Sequence, residues 1–566
     1  MPYTETSQES LFILEHIVPF ERVQSQPRFE EASSDMVAAV LTEAGRMCQE
    51  VLAPLQRNGD TDPAHLENGV VRTSKGYDTG YRAIADGGWV GTSADPEYGG
   101  MGLPMAVTTA VNEMMGAACL SLQLKPLLSQ GQIEALEHHA DDAMKATYLP
   151  KLISGEWSGT MNLTEPQAGS DVGALTTKAE PRGDGSYAIT GQKIYISWGD
   201  SDLVENVCHL VLARLPDGAA GTKGISLFMV PKYIPNADGT LGAANDLRVV
   251  SLEHKMGLHG SPTCVMEFSG ATGWLVGAPH TGMKAMFTMM NNARLGVGGQ
   301  GIGAAEAAYQ QALAYATDRK QGPTPQTDVP GIVAHADVRR MLMTMKADLF
   351  AARAICYDCA VSIDMQTATS DPAWAARAAL LTPLAKAFGT DVGMMVSETG
   401  VQIHGGIGFI EETGAAQYYR DVRVTAIYEG TNGIQAMDLV GRKMMDGGQA
   451  IKALLDEISA TVTQANESET ELATILWQAV KQLSEASDWM LAQQNMHDRF
   501  AGGAPYLRAF ARALGGHYHL RAAMADPVRR PLARFYILAL LPEITGLVAQ
   551  AQLGAEPLYD LAVDAL

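Results

Sequence analysis

The stretch from Met161 to Ala174, MNLTEPQAGSDVGA, has the composition of a loop that holds a ligand close to the backbone. It combines small residues, a turn fixed by Pro166 and the hydroxyl groups of Thr164 and Ser170. Small side chains let a ligand approach backbone N–H groups, and hydroxyl groups add hydrogen bonds. Ordinary glycine-rich turns share this composition, so both interpretations stay open at this point.

A second stretch, Val401 to Gln435, places a single carboxylate after an apolar and aromatic run. Glu429 follows Thr425–Tyr428, and glycine-rich turns lie on either side of the aromatic residues. Desolvation raises the pKa of a carboxyl group, and a carboxylate with a raised pKa can serve as a general base. A solvated glutamate at the edge of a strand would give the same pattern.

The elements that must position these two stretches change type along the chain. Apolar residues at helical spacing follow Ser33 and Ser34, which are candidate helix caps, and period-two segments take over after residue 160. Helical spacing then returns, so no single parallel sheet organises the chain and an α+β fold is predicted. The predicted units are an N-terminal extension (1–35), an N-terminal helical domain (36–160), a middle β-barrel or β-sandwich domain (161–285), a C-terminal helical bundle (286–445) and an additional helical C-terminal domain (446–566).

Turn dipeptides divide the middle segment into short strands. Asp184-Gly185, Asp217-Gly218 and Asp238-Gly239 each follow or separate runs of alternating or apolar residues. An Asp-Gly pair between such runs is typical of a tight turn between antiparallel strands. We therefore predict strands on both sides of each pair.

The net charge of the chain argues against certain classes of binding partner. The 566 residues include 41 Lys and Arg against 63 Asp and Glu, a formal net charge of −22. A protein this acidic repels nucleic acid and anionic lipid, so neither is predicted as a partner. The first twenty residues lack Lys and Arg, unlike a secretory or transit peptide, and a cytoplasmic location is predicted.

The six cysteines are too sparse for a disulfide scaffold. Cys356 and Cys359 form a C-x-x-C pattern within an apolar segment of helical spacing, and no second cysteine pair accompanies them. We predict two thiols that face the core and no metal site. His404, between Ile403 and Gly405, is interpreted as a packed turn residue.

A series of motifs, in chain order, resembles the acyl-CoA dehydrogenase family over roughly residues 45–445. They are EYGGMGLP, YLPKLISGE, LTEPQAGSD, GQKIYIS, KMGLHGSPT, ARLGVGGQGIG, DRKQG, QIHGGIGF and IYEGTNGIQ. The resemblance implies helical, β and helical domains with a C-terminal four-helix bundle, non-covalent FAD and a homodimer or homotetramer. It implies FAD-dependent dehydrogenation of an acyl-CoA thioester to the trans-2-enoyl-CoA.

In that family Glu429 matches the catalytic base, which takes the α-proton of the thioester while the β-hydrogen leaves as hydride to the flavin. An α-proton is weakly acidic, so charge on the thioester oxygen must be stabilised by hydrogen bonds. The resemblance assigns those donors to the N–H of Glu429 and to an FAD hydroxyl. Glu429 and the following Gly430 are thus expected to contact substrate.

The resemblance also implies positions for the cofactor. Met161, Leu163 and Thr164 match the flavin edge, whereas Tyr195 stands where most members carry Trp. Arg319 would reach the FAD of a neighbouring subunit. The expected cofactor contacts are Met161, Leu163, Thr164, Gly169, Ser170, Tyr195, Ser197, Arg319, Gln402, Gly405, Gly406 and Thr431.

For the substrate, the resemblance implies that Ser170 lies near the thioester arm and that Asn291 and Arg294 meet CoA. Two departures from the family pattern matter. Gly433 stands where many members have a Gln that touches adenine, and Tyr195 replaces Trp. Neither removes a group that the chemistry requires.

Length places the chain among extended members of the family. Its start and YEGTNGIQAMDLVGRK are most similar to an extended bacterial branch that includes 3-methylmercaptopropionyl-CoA dehydrogenases of DMSP degradation. The predicted substrate is a short- or medium-chain acyl-CoA, with 3-(methylthio)propanoyl-CoA as a candidate, and the predicted electron acceptor is electron-transfer flavoprotein. The alternatives are an acyl-CoA oxidase that uses oxygen and a nucleic-acid-associated flavoprotein of the same family. Arg521, Arg529, Arg530 and Arg534 are interpreted as a solvated helix end.

Overall fold

Helices lie on both sides of a central block of strands in the chain, in the predicted order, and the α+β prediction is confirmed. The computed structural model describes residues 3–324, 328–329, 331–428 and 430–565. A short hairpin that sequence patterns did not predict interrupts the N-terminal helices. The N-terminal elements are α1 (Ser7–Phe12), α2 (Phe20–Gln24), α3 (Ser34–Met47), α4 (Gln56–Thr61), β1 (His65–Glu67), β2 (Val70–Arg72), α5 (Tyr77–Asp86), α6 (Met105–His139) and α7 (Asp142–Ile153).

The middle strands close into a barrel. Pairing runs from β11 to β5, β4, β6 and β7, and β7 pairs again with β11. Each of the three Asp-Gly pairs lies between two strands, as predicted. The strands are β3 (Trp157–Asn162), β4 (Lys178–Pro181), β5 (Tyr187–Ser197), β6 (Asn206–Arg214), β7 (Ile225–Pro231), β8 (Tyr233–Pro235), β9 (Leu241–Ala244), β10 (Leu247–Leu252) and β11 (Thr263–Val276).

Long helices follow the barrel, and the additional domain is also helical. Helix α15 of this domain packs on α12, which precedes the domain in the chain. A Cβ on Gly503 of α15 would lie 3.3 Å from the Ala436 carbonyl oxygen of α12. The helices are α8 (Gly282–Asp318), α9 (Ala336–Thr369), α10 (Pro372–His404), α11 (Ala415–Val422), α12 (Asn432–Val440), α13 (Gln449–Ala465), α14 (Thr470–Ala492), α15 (Met496–Ala525), α16 (Arg530–Phe535), α17 (Glu543–Ala551) and α18 (Glu556–Tyr559).

Glycines allow α8 to approach two other helices at backbone distance. A Cβ on Gly301 would lie 2.4 Å from the Gly389 carbonyl oxygen of α10, and one on Gly303 would lie 2.7 Å from the Ala117 nitrogen of α6. Real Cβ atoms do not occupy such positions, because protein interiors are already close-packed. The glycines of ARLGVGGQGIG therefore bring three helices together around this part of α8.

Helix α6 is broken near its middle. Cys119 has non-helical angles (φ −156°, ψ 87°). The backbone groups at the break bond to other elements: the Leu120 N–H donates to Gln56 Oε1 at 3.2 Å, and the Trp198 indole N–H donates to the Ser121 carbonyl at 3.2 Å. The break thus redirects the second half of α6, and its polar backbone groups stay paired.

By length and composition α6 could also cross a membrane, as could the helices from Pro527 to Ala551 if they are counted together across a 43° bend. The most apolar window of α6 is 94% buried inside the protein. A buried core helix of a globular domain has this character.

The N-terminal extension packs on the additional domain. The Arg529 guanidinium bonds both carboxylate oxygens of Glu9 at 2.7 Å and lies 4.1 Å from the centre of the Phe12 ring. The interpretation of Arg529 as part of a solvated helix end is therefore wrong, because its side chain connects the N-terminal extension to the additional domain. Arg530 and Arg534 pair with Glu469 and Glu471 of the same domain.

A buried ion pair determines the shape of the loop after β3. The Lys193 ammonium lies 2.9 Å from Glu165 Oε1, and both side chains are almost completely buried. Lys193 also donates to the Leu163 carbonyl at 2.9 Å. The Glu165 carboxylate accepts from the backbone N–H and the hydroxyl group of both Thr176 and Thr177. One carboxylate thus holds both ends of the loop and β5.

The same contacts determine the charge of Glu165. Burial by itself raises the pKa of this carboxyl group, but the Lys193 ammonium and the donated hydrogen bonds lower the pKa to about 2. The stabilisation is complete above the pKa of an exposed glutamate, about 4.3. It is lost as the pH falls towards 2, because protonation then removes the charge that the folded state favours.

We expect Glu165→Gln to lower the free energy of unfolding by about 3–5 kcal/mol at pH 7, because the Lys193 charge is left buried without its partner. Chemical denaturation at pH 7 and at pH 3 measures this, and the difference from the wild type should shrink at the lower pH. Glu267→Gln is the matched control, because its pair with Arg248 is exposed and should contribute roughly 0–1 kcal/mol. The double variant with Lys193→Met should recover stability, and an unchanged denaturation curve for Glu165→Gln would contradict this account.

Candidate functional site

The loop after β3 presents backbone at one end of the barrel. Met161 is half-buried on β3, and Leu163 and Thr164 follow it. The carbonyl oxygens of Leu163 and Thr164 accept from the Lys193 ammonium and from the Ile194 N–H, at 2.9 Å each. With these carbonyls occupied, the loop can offer a ligand N–H groups and the Thr164 hydroxyl.

Tyr195 projects from β5 beside this loop. The pairing of β5 with β11 shifts register around Tyr195, which has a left-handed backbone (φ +60°) and a 61% exposed side chain. A β-bulge redirects side chains in this way, and a left-handed tyrosine costs conformational energy. Ser197 lies two residues further along β5. The structure therefore brings Met161, Leu163, Thr164, Tyr195 and Ser197 to one end of the barrel.

The rim of this end is open. A Cβ on Gly169 would meet no atom within 4 Å, and Ser170 is exposed. This absence of neighbours permits a ligand to contact the backbone directly.

The expected base, Glu429, lies outside the described residues; its neighbour Tyr428 is bonded to α8 and its neighbour Gly430 to α12. The Tyr428 hydroxyl donates to Gln300 Oε1. Gly430 has a left-handed backbone (φ +83°), and a Cβ there would lie 2.7 Å from Gln435 Nε2 and 3.8 Å from Arg294 Nη2. Position 430 favours glycine for two reasons: its backbone is left-handed, and a Cβ there would clash with Gln435 Nε2.

The start of α12 continues this segment. Thr431 caps the helix, with its Oγ1 accepting from the Ile434 N–H at 3.3 Å. Asn432 bonds Lys386 at 2.9 Å and Asp391 at 2.7 Å, both on α10. The YEGTN segment is thereby attached to two long helices.

Cations gather around one buried carboxylate near Asn291. Asp438 of α12 lies 3.9 Å from Arg294, 2.6 Å from Arg442 and 3.7 Å from Lys443. Arg294 also lies 3.5 Å from Asn291 Oδ1. Three cations around one carboxylate leave an excess of positive charge, which favours phosphate groups. Sequence reasoning missed Arg442 and Lys443, although an Arg-Lys pair directly after an apolar helix was a usable signal.

A second group of expected cofactor residues lies far from the first. Helix α8 meets the barrel at its start, where a Cβ on Gly282 would lie 2.4 Å from the Ser226 carbonyl carbon of β7. The 37 residues of α8 place Arg319 about 55 Å along the helix axis from that point, at about 1.5 Å of rise per residue. Arg319 is near the end of α10, since the Tyr315 ring of α8 stacks on His404 at 4.5 Å. Gln402, Gly405 and Gly406 lie at this end, and a Cβ on either glycine would meet no atom within 4 Å. One chain therefore does not bring Arg319, Gln402, Gly405 and Gly406 to the barrel.

His404 is packed, as predicted, but it is the last residue of α10 rather than part of a turn, and the C-x-x-C pair faces the core as predicted. The His404 Nδ1 lies 2.7 Å from the Gly400 carbonyl oxygen, and burial lowers the pKa of the imidazole. Cys356 and Cys359 are buried free thiols, and burial raises the pKa of Cys359 to about 12. Within the described ranges no cluster of His, Cys, Asp or Glu could hold a metal ion.

The residues present fit a flavin dinucleotide. The barrel end supplies N–H groups, hydroxyls and an aromatic ring for a flat ring system, and the rim glycine permits close approach. The distant group supplies an arginine and two unobstructed glycines, which suit a pyrophosphate.

Family models match four consecutive parts of the chain. They are the acyl-CoA dehydrogenase N-terminal domain (35–156), middle domain (160–271) and C-terminal domain (280–445), and the acetyl-CoA dehydrogenase C-terminal-like domain (454–562). The boundaries drawn from sequence patterns (1–35, 36–160, 161–285, 286–445 and 446–566) stay predictions.

Individual relatives agree with these matches. The 3-methylmercaptopropionyl-CoA dehydrogenase of Ruegeria pomeroyi is 45% identical over 90% of this chain and 88% of its own length. A butyryl-CoA dehydrogenase of Syntrophomonas wolfei is 37% identical over 75% of this chain and 73% of its own length. An acyl-CoA dehydrogenase of Bacillus anthracis, solved with FAD, has the same fold, with a TM-score of 0.76 at 21% identity over 95% of this chain and 90% of its own. The chain belongs to the acyl-CoA dehydrogenase family, whose members are FAD-dependent oxidoreductases that act on CH–CH bonds.

Proposed function

We propose that this acyl-CoA dehydrogenase oxidises short acyl-CoA thioesters, with 3-(methylthio)propanoyl-CoA as its leading substrate. The observation that carries the proposal is the 45% identity over 90% of the chain to the Ruegeria pomeroyi enzyme named for that substrate. The reaction removes a proton from Cα and a hydride from Cβ and leaves the trans-2-enoyl-CoA.

Glu429 is the proposed base for the α-proton. Its neighbours support this role, because the Tyr428 hydroxyl bonds Gln300 of α8 and the Gly430 carbonyl accepts from Gln435 Nε2 of α12 at 3.1 Å. A base positioned from both sides loses little entropy in reaching the reacting carbon. The N–H of Glu429 is the proposed donor to the thioester oxygen, where negative charge develops.

FAD, when bound, accepts the hydride. Met161, Leu163, Thr164, Gly169, Ser170, Tyr195 and Ser197 are the proposed contacts at the barrel end, and Thr431 lies on the helical side. The rigidity that Glu165 and Lys193 give to this loop supports the proposal, since a site for hydride transfer must be held in a narrow range of geometry.

Coenzyme A lies, in this proposal, along one cation of α8 and two cations in the turn after α12. Arg294, Arg442 and Lys443 supply the charge for its phosphates, and Asn291 and Ser170 supply polar contacts. Asp438 holds the three cations in place and neutralises one of their charges, which reduces their mutual repulsion.

We also propose a homo-oligomer in which a neighbouring subunit completes the FAD site. The distance of Arg319, Gln402, Gly405 and Gly406 from the barrel end of the same chain supports this. Beside the two glycines, Ile407 and Phe409 are 49% and 84% exposed, which is typical of a surface that another chain covers. Dimer and tetramer both satisfy this geometry.

Electron-transfer flavoprotein is the proposed electron acceptor, and the cytoplasm the proposed location. Dehydrogenation of the thioester releases two electrons, which an acceptor must remove from the enzyme before the next turnover. Six buried free thiols suit a reducing compartment.

Anaerobic mixing with saturated acyl-CoAs should bleach the flavin of the wild type, fastest with 3-(methylthio)propanoyl-CoA. Glu429→Gln should slow bleaching by about 10²–10⁴-fold, the contribution expected of a general base. Glu412→Gln, which makes the same change at an exposed carboxylate earlier in the chain, is the control and should bleach at the wild-type rate. Bleaching of Glu429→Gln at that rate would exclude Glu429 as the base.

Enzyme reduced by substrate should stay bleached when air is admitted and recolour on addition of oxidised electron-transfer flavoprotein. The absorbance of the flavin near its visible maximum measures both steps. Rapid recolouring in air alone would contradict the proposed acceptor and favour an acyl-CoA oxidase.

Mixed oligomers test whether sites are shared. Arg319→Ala and Glu429→Gln should each be inactive alone, because one damages the partner's FAD site and the other its own. After the two variants are unfolded and refolded together with FAD, the hybrid should regain a substantial part of the wild-type rate, since one of its sites has both intact residues. A mixture no more active than its parents would contradict the shared site.

A further inference from the structure

Buried amides connect the segment of the base to α6. The Tyr428 hydroxyl donates to Gln300 Oε1, and Gln300 Nε2 donates to Gln123 Oε1 at 2.8 Å. Gln300 and Gln123 have no exposed surface. The direction of donation is the same at each step, from Tyr428 through Gln300 to Gln123.

The amide at the end of this series, that of Gln123, lacks one expected hydrogen bond among the described residues. Within the part of the chain that the structure describes, Gln123 Nε2 has no hydrogen-bond partner. A buried amide donor that lacks an acceptor destabilises the protein, so such groups are rare and call for an explanation. Gln130, on the same helix, is a buried amide with both of its polar atoms paired. Its Oε1 accepts from Asn112, and its Nε2 donates to the Trp89 carbonyl.

The location of Gln123 indicates what its acceptor is. Arg294 and Gln300 lie beside the two chain neighbours of position 429, and about 9 Å of α8 separates them. Under the proposed function CoA lies at the Arg294 side, so the acyl chain extends past the base towards Gln300. The break in α6 at Cys119 directs the following turn, with Gln123, to that side of α8.

We propose that the Gln123 amide is the specificity determinant for the acyl chain and donates to an acceptor atom within that chain. This inference rests on the proposed function. The substrates are short acyl thioesters with a thioether sulfur or an ether oxygen one atom beyond Cβ. A plain hydrocarbon chain leaves the donor unpaired, so the site discriminates against it even when its size is the same.

Three thioesters of equal chain length test this: 3-(methylthio)propanoyl-CoA, 3-methoxypropanoyl-CoA and pentanoyl-CoA. The wild type should have a higher kcat/KM for both heteroatom chains. Gln123→Met retains the shape but lacks the donor, and should lower the ratio of heteroatom to pentanoyl kcat/KM by roughly threefold to tenfold. Gln130→Met is the control, which should lower the melting temperature and leave the ratio unchanged.

A Gln123→Met enzyme that is folded, binds FAD and retains the wild-type ratio would overturn the inference. Gln123→Asn has a side chain one methylene shorter, which moves the amide donor away from the substrate, and it should also lower the ratio of heteroatom to pentanoyl kcat/KM. This variant replaces Gln123→Met in the test if the methionine variant does not fold. Equal wild-type activity on all three thioesters would also overturn it, and would leave the proposed dehydrogenation intact. Failure of every thioester to bleach the wild-type flavin would instead overturn the proposed function, and this inference with it.

Discussion

The buried ion pair between Glu165 and Lys193 holds together segments that are far apart in the chain. Glu165 lies in the loop after β3, Lys193 lies on β5, and the threonines that donate to the carboxylate begin the approach to β4. Removal of either charge would leave the other buried and unpaired, so the pair and its hydrogen bonds hold the loop against β5 and the start of β4. The residues proposed to contact the flavin lie on that loop, and hydride transfer would require such support because the reacting atoms must be held in a narrow range of geometry.

A second constraint acts on the helical side. Gly301 and Gly303 let α8 contact α10 and α6 at backbone distance, and the break in α6 is stabilised by Gln56 and Trp198. These two features place Gln300 between Tyr428 and Gln123. The segment that carries the proposed base is therefore supported by packed helices. The additional domain strengthens the arrangement from outside, since α15 covers α12 directly after Thr431.

Sequence patterns predicted the order of helices and strands, the three Asp-Gly turns and the buried thiols, because each depends on local periodicity or on a dipeptide. They did not predict the β1–β2 hairpin, whose strands have only three residues each. The fully buried β6 and β7 also lack the alternation expected of half-buried strands, since packing covers both of their faces. Arg529 was misread as solvated because its partner, Glu9, lies at the opposite end of the chain.

The order of motifs carried a resemblance to a family, and that resemblance assigned the candidate site residues, among them Met161, Thr164, Arg294, Gly430 and Thr431. These assignments stay predictions. The grouping of residues in space required the folded molecule. Asp438 with its three cations, the separation of Arg319 from the barrel, and the amide chain from Tyr428 to Gln123 all join residues from different elements. No local pattern encodes such contacts, because they arise only when long helices cross at the angles and distances that close packing allows.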